Sequence, residues 1–278
     1  MKLMLCGDVV GRAGREVVCE HLPRLREALR LDLAIVNGEN AAHGFGITDK
    51  ICAEFYDAGV DVITTGNHVW DRREIIPYIE GDPRLLRPIN FPPGTPGRGY
   101  GIFRLADGRE VLVANAMARL FMDAIDDPFA AMDRLLAEHP LGRVAASVID
   151  FHGEATSEKM SMGHFCDGRA SVVVGTHSHV PTADHRILEH GTAYMTDVGM
   201  CGDYDSVIGM KKQGSVQRFV RKMPGDRLEA ADGPATLCAV VVETDDATGL
   251  ARGIAPLRVG GLLAPAWPDF AREPAPAK

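Results

Sequence analysis

The first 65 residues alternate short apolar runs with helical patterns, and this alternation constrains the fold more than any other feature. Three runs have the length of buried strands: residues 2–6, 33–37 and 60–65. Residues 14–30 carry apolar side chains at helical spacing, and Thr48 can cap a second helix that stops by Gly59. The order strand, helix, strand, helix, strand predicts a parallel sheet with crossover helices.

After residue 90 the pattern changes from parallel units to antiparallel pairs. We predict three hairpins, at residues 101–116, 185–196 and 235–257. A helix at 128–138 is expected before a strand at 143–151, and residues 170–176 form a further strand. No change in composition forces a domain boundary, so residues 1–260 are predicted to form one mixed α/β domain. The Pro/Ala-rich residues 261–278 are expected to be a loose C-terminal tail.

Composition excludes several classes of partner. A net charge of −8 argues against DNA as the main ligand but leaves room for a small phosphorylated one. No apolar run approaches the roughly 20 residues that a membrane helix needs, and the N-terminus lacks the features of a secretory signal. The six cysteines are scattered without a C-x-x-C pair, which indicates free thiols in a reducing compartment. We therefore expect a cytoplasmic protein.

Polar residues that can bind metals follow five of the predicted strands. They are Asp8, then Glu39 and Asn40, then Asn67 and His68, then His152, and finally His177 and His179. In open α/β sheets the carboxyl ends of parallel strands face one shared crevice, so these side chains are expected to meet there.

Taken alone, each of these residues has an ordinary structural explanation. Asp8 fits a turn, and His152 fits a buried structural histidine. The pair His177 and His179 is more specific, because alternate residues of an extended segment point the same way. All five strand ends carry a ligand type, and most are flanked by glycine, which permits close approach. Coincidence is a poor explanation for the whole set.

The chemistry of the set indicates the kind of ion. Two carboxylates, two amide oxygens and three or four imidazoles, without a thiolate, suit iron, manganese or mixed first-row metals. There are too many ligands for one ion. A two-metal site needs a carboxylate that bridges ions about 3.5–4 Å apart, and it can clamp a phosphoryl group and generate hydroxide at neutral pH.

The ordered motifs resemble those of the calcineurin-like metallophosphoesterase superfamily. The motifs are GDVVGRAGR, NGENAAHGFGIT, TTGNHVWD, DFHGEATSEK and GTHSHVPTAD. Over residues 1 to about 257 the pattern is similar to the bacterial YmdB-type branch, whose members act as 2′,3′-cyclic-nucleotide phosphodiesterases. The resemblance implies a four-layer α/β/β/α sandwich with two mixed sheets. It also implies two divalent or trivalent metal ions, iron in the first place and manganese as the alternative.

The resemblance also implies a role for each motif residue. One metal would be held by Asp8, Glu39, Asn40 and His179. The second would share Glu39 and be completed by Asn67, His152 and His177. A metal-bound hydroxide would attack phosphorus, and His68 would protonate the leaving oxygen. The substrates would be small cyclic nucleotides, with 2′,3′-cyclic forms preferred over 3′,5′-cyclic forms or phosphomonoesters.

Some positions depart from the broader superfamily. The superfamily begins D-x-H, whereas Asp8 is followed by Val9 and Val10, so one histidine ligand is missing. Glu39 stands where the bridging Asp is usual, and Val69 stands where an acid follows Gly-Asn-His. These departures are shared with the YmdB-type branch and favour it.

Two other functions remain open at this point. The glycines of GDVVGRAGR also follow a strand, as in an NAD-binding turn, although their spacing differs from G-x-G-x-x-G. Asp32 is near the place of a ribose contact in such an oxidoreductase. The other alternative is a non-catalytic, nucleotide-sensing regulatory protein whose metal site binds but does not hydrolyse.

Further residues carry weaker hypotheses. His43 and Thr176 are candidates for the wall of the substrate cleft, with a flexible-loop role as the equal alternative. Arg12 and Arg15 are candidates for phosphate contact or a solvated helix start. Residues 210–222 form a basic stretch that predicts an amphipathic surface helix, with RNA or an RNA-processing partner as the minority interpretation. A homo-oligomer is compatible with the sequence.

Overall fold

The structure is a computed structural model, and it describes residues 1–223, 225 and 227–270. Two six-stranded sheets pack face to face in the described chain, and helices cover their outer faces. The predicted four-layer sandwich with two mixed sheets is confirmed.

The first sheet has the strand order β12-β11-β10-β1-β2-β3. Its strands are β1 (Lys2–Val9), β2 (Leu33–Asn37), β3 (Val62–Thr64), β10 (Met200–Asp203), β11 (Ala235–Thr244) and β12 (Ala251–Gly260). β1 is parallel to β2 and β10 and antiparallel to β11, so this sheet is mixed.

The second sheet has the order β4-β5-β6-β7-β9-β8. Its strands are β4 (Tyr100–Arg104), β5 (Glu110–Met117), β6 (Ala146–His152), β7 (Val172–Thr176), β8 (Arg186–Ile187) and β9 (Ala193–Met195). β5, β6, β7 and β9 run parallel, and β4 and β8 close the two edges as antiparallel strands.

Six helices occur within the described ranges. They are α1 (Gly11–Leu29), α2 (Asp49–Asp57), α3 (Ile75–Ile79), α4 (Pro128–Glu138), α5 (Thr156–Phe165) and α6 (Lys212–Arg221). Thr48 caps α2 as expected, because its side chain accepts a hydrogen bond from Ile51 N at 3.3 Å. None of the helices in these ranges has the length and apolar character needed to cross a bilayer.

Alternation along the strands produces the layers. In β1, Leu3 and Leu5 belong to the core between the two sheets, whereas Met4 and Cys6 belong to the core under the helices. Successive side chains of a strand point to opposite faces, so one strand serves both cores. A third core under α4 and α5 contains Met132, Ile149, Phe151 and Met162.

The predicted strand and helix order of the first 65 residues is confirmed, and so are the three hairpins. The sequence pattern missed α3, α5 and β10. β10 pairs with β1 at Asp8 and Val9, beyond the residues of β1 that pair with β11. In the basic stretch, the predicted surface helix is α6 (Lys212–Arg221). Its apolar residues face solvent, however, and Phe219 and Val220 are each 77% exposed.

The expected C-terminal tail begins after β12. Residues 261–266 return along that strand, where Ala266 pairs with Arg258, and Phe270 packs against the core under α1. Residues 271–278 of the expected tail lie outside the described residues.

Gly7 marks the point where β1 passes from β11 to β10. A Cβ atom at this position would lie 1.8 Å from Gly199 O, and the next residue, Asp8, donates its N–H to that same oxygen at 3.1 Å. The close approach of these two backbones therefore fixes the place of the Asp8 side chain.

We predict that Gly7→Ala destabilises the protein by about 1–3 kcal/mol, because the added methyl must push β1 away from residue 199. Urea unfolding measures the change. Gly81→Ala is the control, because a Cβ atom at Gly81 would lie 3.7 Å from its nearest neighbour, Tyr78 O, which is an ordinary van der Waals distance. Equal stability of the two variants would contradict the prediction.

Candidate metal centre

The polar residues predicted at the strand ends come from two sheets rather than from one open sheet. β1, β2 and β3 of the first sheet supply Asp8, Glu39, Asn40, Asn67 and His68. β6 and β7 of the second sheet supply His152, His177 and His179. The stacking of the sheets brings the two groups together.

Glu39 joins the two groups. Its carboxylate is fully buried, and Oε1 lies 3.1 Å from Nε2 of His152 on the opposite sheet. Oε2 accepts the backbone N–H of His68 at 3.0 Å, and Asn40 Nδ2 donates to Oε1 at 3.1 Å. Glu39 thus sits between the predicted ligands of the two metals.

His152 is the centre of one half of the cluster. Its Nε2 lies 3.0 Å from Asn67 Oδ1 and 3.1 Å from His177 Nδ1. Ligand atoms of Glu39, His152 and His177 all lie within 4.8 Å of one another, which is close enough for a single ion to contact all three.

Asp8, Asn40 and His179 form the other half. Asn40 Nδ2 lies 3.2 Å from His179 Nε2, and Asp8 Oδ1 lies 3.8 Å from the same ring nitrogen. His179 Nδ1 points away, toward Ile208 O at 2.8 Å, so that its Nε2 faces the cluster. Asp8 Oδ1 is buried and has no hydrogen-bond partner among the described residues.

Gly66 makes this packing sterically feasible. A Cβ atom there would lie 2.3 Å from the His152 ring and 2.5 Å from Glu39 Oε2. Only a residue without a side chain permits the loop after β3 to come this close to both groups.

Burial and charge shift the pKa values of the cluster. Burial raises the pKa of Asp8 to about 6, and burial together with the nearby His152 charge lowers the pKa of His177 to about 3. Burial opposes ionisation of both Glu39 and His152, but their mutual attraction lowers the pKa of Glu39 and raises the pKa of His152. His177 is therefore a neutral imidazole at pH 7, the form that binds metals.

His68 lies at the rim of this cluster, with its Nδ1 2.9 Å from Asp71 Oδ2. Val69, where the superfamily has an acid, is fully buried in the core under the helices. The turn after His68 brings Asp71 back to it, with Asp71 N donating to His68 O at 3.1 Å. The sequence prediction considered only position 69 for an acid next to His68. It missed Asp71, although this residue ends the same motif, TTGNHVWD.

The two candidates for substrate contact, His43 and Thr176, lie in different environments. His43 is exposed beside the cluster, in a left-handed backbone conformation with φ 60°. Thr176 is fully buried, and its hydroxyl donates to Asp150 at 2.7 Å and lies 2.9 Å from His152 Nδ1. Thr176 therefore orients a candidate metal ligand from behind and does not line the cleft.

The features that suggested a dinucleotide site have structural roles. Asp32 accepts the backbone N–H of Lys2 at 2.7 Å and pairs with Arg109 at 3.0 Å, so its carboxylate is engaged. The two candidates for phosphate contact on α1 also have partners: Arg15 donates to Ala41 O at 2.6 Å, and Arg12 pairs with Glu16 on the surface of α1.

A family model described as YmdB-like protein matches residues 4–257. The chain belongs to this family. The match covers every strand end described above, and it confirms the similarity to the YmdB-type branch that the motifs indicated.

Individual proteins and solved structures are also similar to this chain. The 2′,3′-cyclic-nucleotide 2′-phosphodiesterase of Bacillus subtilis strain 168 is 49% identical over 248 residues, which cover 89% of this chain and 93% of the relative. A solved structure of a hypothetical protein from Thermus thermophilus has 41% identity and a TM-score of 0.88 and covers 94% of this chain and 100% of that one. A novel phosphatase from Mycoplasma pneumoniae has 32% identity and a TM-score of 0.86, covering 94% and 93%.

A buried ion pair lies beneath the loop that carries the two histidines after β7. Lys159 Nζ is 2.7 Å from Asp197 Oδ2, and both side chains are fully buried. The same oxygen accepts hydrogen bonds from the N–H and the hydroxyl of Ser178, at 3.0 and 2.8 Å. Ser178 stands between His177 and His179, so the pair holds this loop from inside the protein.

The loop requires such support. His177 and His179 both have positive φ, 97° and 65°, a region that costs a non-glycine residue about 1–3 kcal/mol. Lys159 is the last residue of the DFHGEATSEK motif, but no role was predicted for it because lysine is not a metal-ligand type, and Asp197 lies outside all five motifs.

We predict that Lys159→Met destabilises the YmdB-like fold by about 3–5 kcal/mol, because it leaves Asp197 as an unpaired buried charge. Metal affinity is expected to fall about 10- to 100-fold as the histidine loop relaxes. Urea unfolding and metal content of the folded protein measure the two effects. Lys50→Met, at an exposed lysine of α2, is the matched control, and an unchanged metal content in Lys159→Met would contradict the positioning role.

Proposed function

We propose that this protein is a di-metal phosphodiesterase that hydrolyses small cyclic nucleotides, with 2′,3′-cyclic nucleotides preferred. The observation that carries the proposal is the meeting of eight polar side chains from five strand ends, with Glu39 at their centre. The name of the Bacillus subtilis relative supports the substrate class.

The donor set fits metal ions. Asp8 Oδ1 is a buried carboxylate oxygen without a partner in the described part of the chain, and a cation would satisfy it. The ligand atoms are carboxylate, amide and imidazole groups, which favours iron or manganese among the first-row metals. Following the motif order, we assign Asp8, Glu39, Asn40 and His179 to one ion and Glu39, Asn67, His152 and His177 to the other. Two ions held there would offset charge on the phosphoryl oxygens and make water a nucleophile at neutral pH.

His68 is the proton donor in this proposal. Asp71 engages Nδ1, which orients the ring and leaves Nε2 for the cavity that His68 lines. Phe45 packs edge-on against the imidazole at 5.2 Å and restricts its rotation. A proton on Nε2 can then pass to the departing ribose oxygen as the bond to phosphorus breaks.

The cavity over the cluster has a volume of about 330 Å³, sufficient for a nucleotide-sized ligand. Its walls include Ile208, Met210 and Leu228, which give one side an apolar character. We assign this side to the nucleoside and the opposite, polar side to the phosphate.

The state of the cysteines supports a proposal for the cellular compartment. All six cysteines are unpaired and five of them are buried. Buried free thiols fit a reducing compartment, and we place the protein in the cytoplasm on this basis.

We predict that His68→Ala lowers turnover by about 10²- to 10⁴-fold while leaving metal content intact, because the ring lies at the rim and is not assigned as a ligand. Steady-state kinetics and metal analysis of the same sample check both parts. His164→Ala, at an exposed histidine of α5, is the control. Loss of metal in His68→Ala would show that His68 is a ligand instead.

Metal analysis with a substrate panel tests the function itself. The purified protein, loaded with iron or manganese, is expected to hydrolyse 2′,3′-cyclic nucleotides faster than 3′,5′-cyclic nucleotides or a simple aryl phosphate. Removal of the metals by a chelator should abolish turnover. Binding of a cyclic nucleotide without hydrolysis after loading would favour the regulatory alternative.

A further inference from the structure

A second cavity opens beside the metal centre. It has a volume of about 580 Å³ and meets the cavity over the cluster at Leu228, which lines both. Its basic lining residues are Arg12, His43, Arg72 and Arg227, and its acidic ones are Glu229 and Asp232. None of the candidate metal ligands lines this second cavity. The loop after Asn40 lies between the two cavities, with His43 lining one and Phe45 lining the other.

The charges in this cavity leave guanidinium groups available to a ligand. Glu229 is already paired with Lys211 at 2.8 Å, outside the cavity lining. Arg72 and Arg227 have no carboxylate partner in the part of the chain that the structure describes. Asp232 contributes one negative charge to the lining, but an anion entering the cavity would still meet the Arg72 and Arg227 guanidinium groups, which pair with none of the described carboxylates.

The arginines are built into the wall that also shapes the reaction site. Arg72 donates from Nε to Phe45 O at 3.1 Å and from Nη2 to Ala42 O at 2.8 Å, which fixes its position. The Arg227 guanidinium lies 5.7 Å from the Phe45 ring, which also packs against the imidazole of His68. Phe45 thus lies between Arg227 and the proposed proton donor.

His43 adds a second sign of function. It is a non-glycine residue with φ 60°, and backbone strain of this kind is concentrated at binding sites. The strained turn places His43 in the lining of the arginine cavity.

We propose that this cavity binds a second phosphate of the substrate, the one attached to the 5′ oxygen of the nucleoside that carries the cyclic phosphate. The inference rests on the proposed function. Arginine forks match phosphate oxygens in charge and geometry. Phe45 contacts both Arg227 and His68, so the arginine cavity is separated from the proposed proton donor by one side chain. The phosphate has two sources, a 5′-phosphorylated mononucleotide or the internucleotide phosphate at the end of an RNA strand.

The test compares three substrates of the metal-loaded full-length protein. These are adenosine 2′,3′-cyclic phosphate, its 5′-phosphorylated form, and adenylyl-(3′→5′)-adenosine 2′,3′-cyclic phosphate. The 5′-phosphate is expected to lower KM about tenfold, and added salt should reduce this advantage by screening. An equal advantage for the dinucleotide identifies RNA ends as the source, whereas an advantage confined to the mononucleotide identifies free nucleotides.

Variants assign the effect to the cavity. Arg227→Gln and the double variant Arg72→Gln/Arg227→Gln are expected to bring the KM ratio of the first two substrates toward one. Arg134→Gln, an equal loss of charge on the exposed face of α4, should leave the ratio unchanged. An undiminished ratio in the double variant would overturn the assignment.

Failure of the inference and failure of the proposed function give different results. Equal KM values with normal turnover would refute the second phosphate site and leave the phosphodiesterase intact. If no substrate is hydrolysed, the proposed function fails, and calorimetry still decides the site. The metal-loaded protein should bind adenosine 3′,5′-bisphosphate about tenfold more tightly than adenosine 3′-phosphate, and equal affinities would overturn the inference.

Discussion

The contact between Glu39 and His152 is the interaction on which the site depends. It joins a loop of the first sheet to a strand end of the second, at 3.1 Å and without access to water. A carboxylate and an imidazole in such a place stay charged only through each other or through a cation. The two sheets therefore meet at a polar contact. In a purely apolar interface, neither Glu39 nor His152 could be buried in its charged form.

The surrounding structure supports this arrangement from below. Asp150 is fully buried and accepts hydrogen bonds from Thr64 and Thr176, and Thr176 in turn lies against His152. Together with the Lys159–Asp197 pair, it forms a polar layer under the candidate ligands. Such a layer orients each imidazole and maintains it in one ring position before any ion binds.

Much of the fold was predictable from residue order. Apolar runs and helical spacing predicted β1, β2, β3, α1 and α2, because these elements are defined by local periodicity. β10 was missed since its four residues, Met200–Asp203, carry too short a pattern, and its partner β1 is almost 200 residues away. α5 was missed because its amphipathic pattern is weak: polar Glu158 and Lys159 are buried there.

By itself, the sequence determined which chemical groups stand at which strand ends, and from them the family and the candidate ligands. Periodicity and motif order are local properties, and both can be read along the chain. Only the tertiary structure decided that the ends belong to two stacked sheets, that Asp71 rather than residue 69 reaches His68, and that Thr176 lies behind His152. Those distances join residues far apart in sequence or across a turn, so they are set by sheet order and packing rather than by spacing.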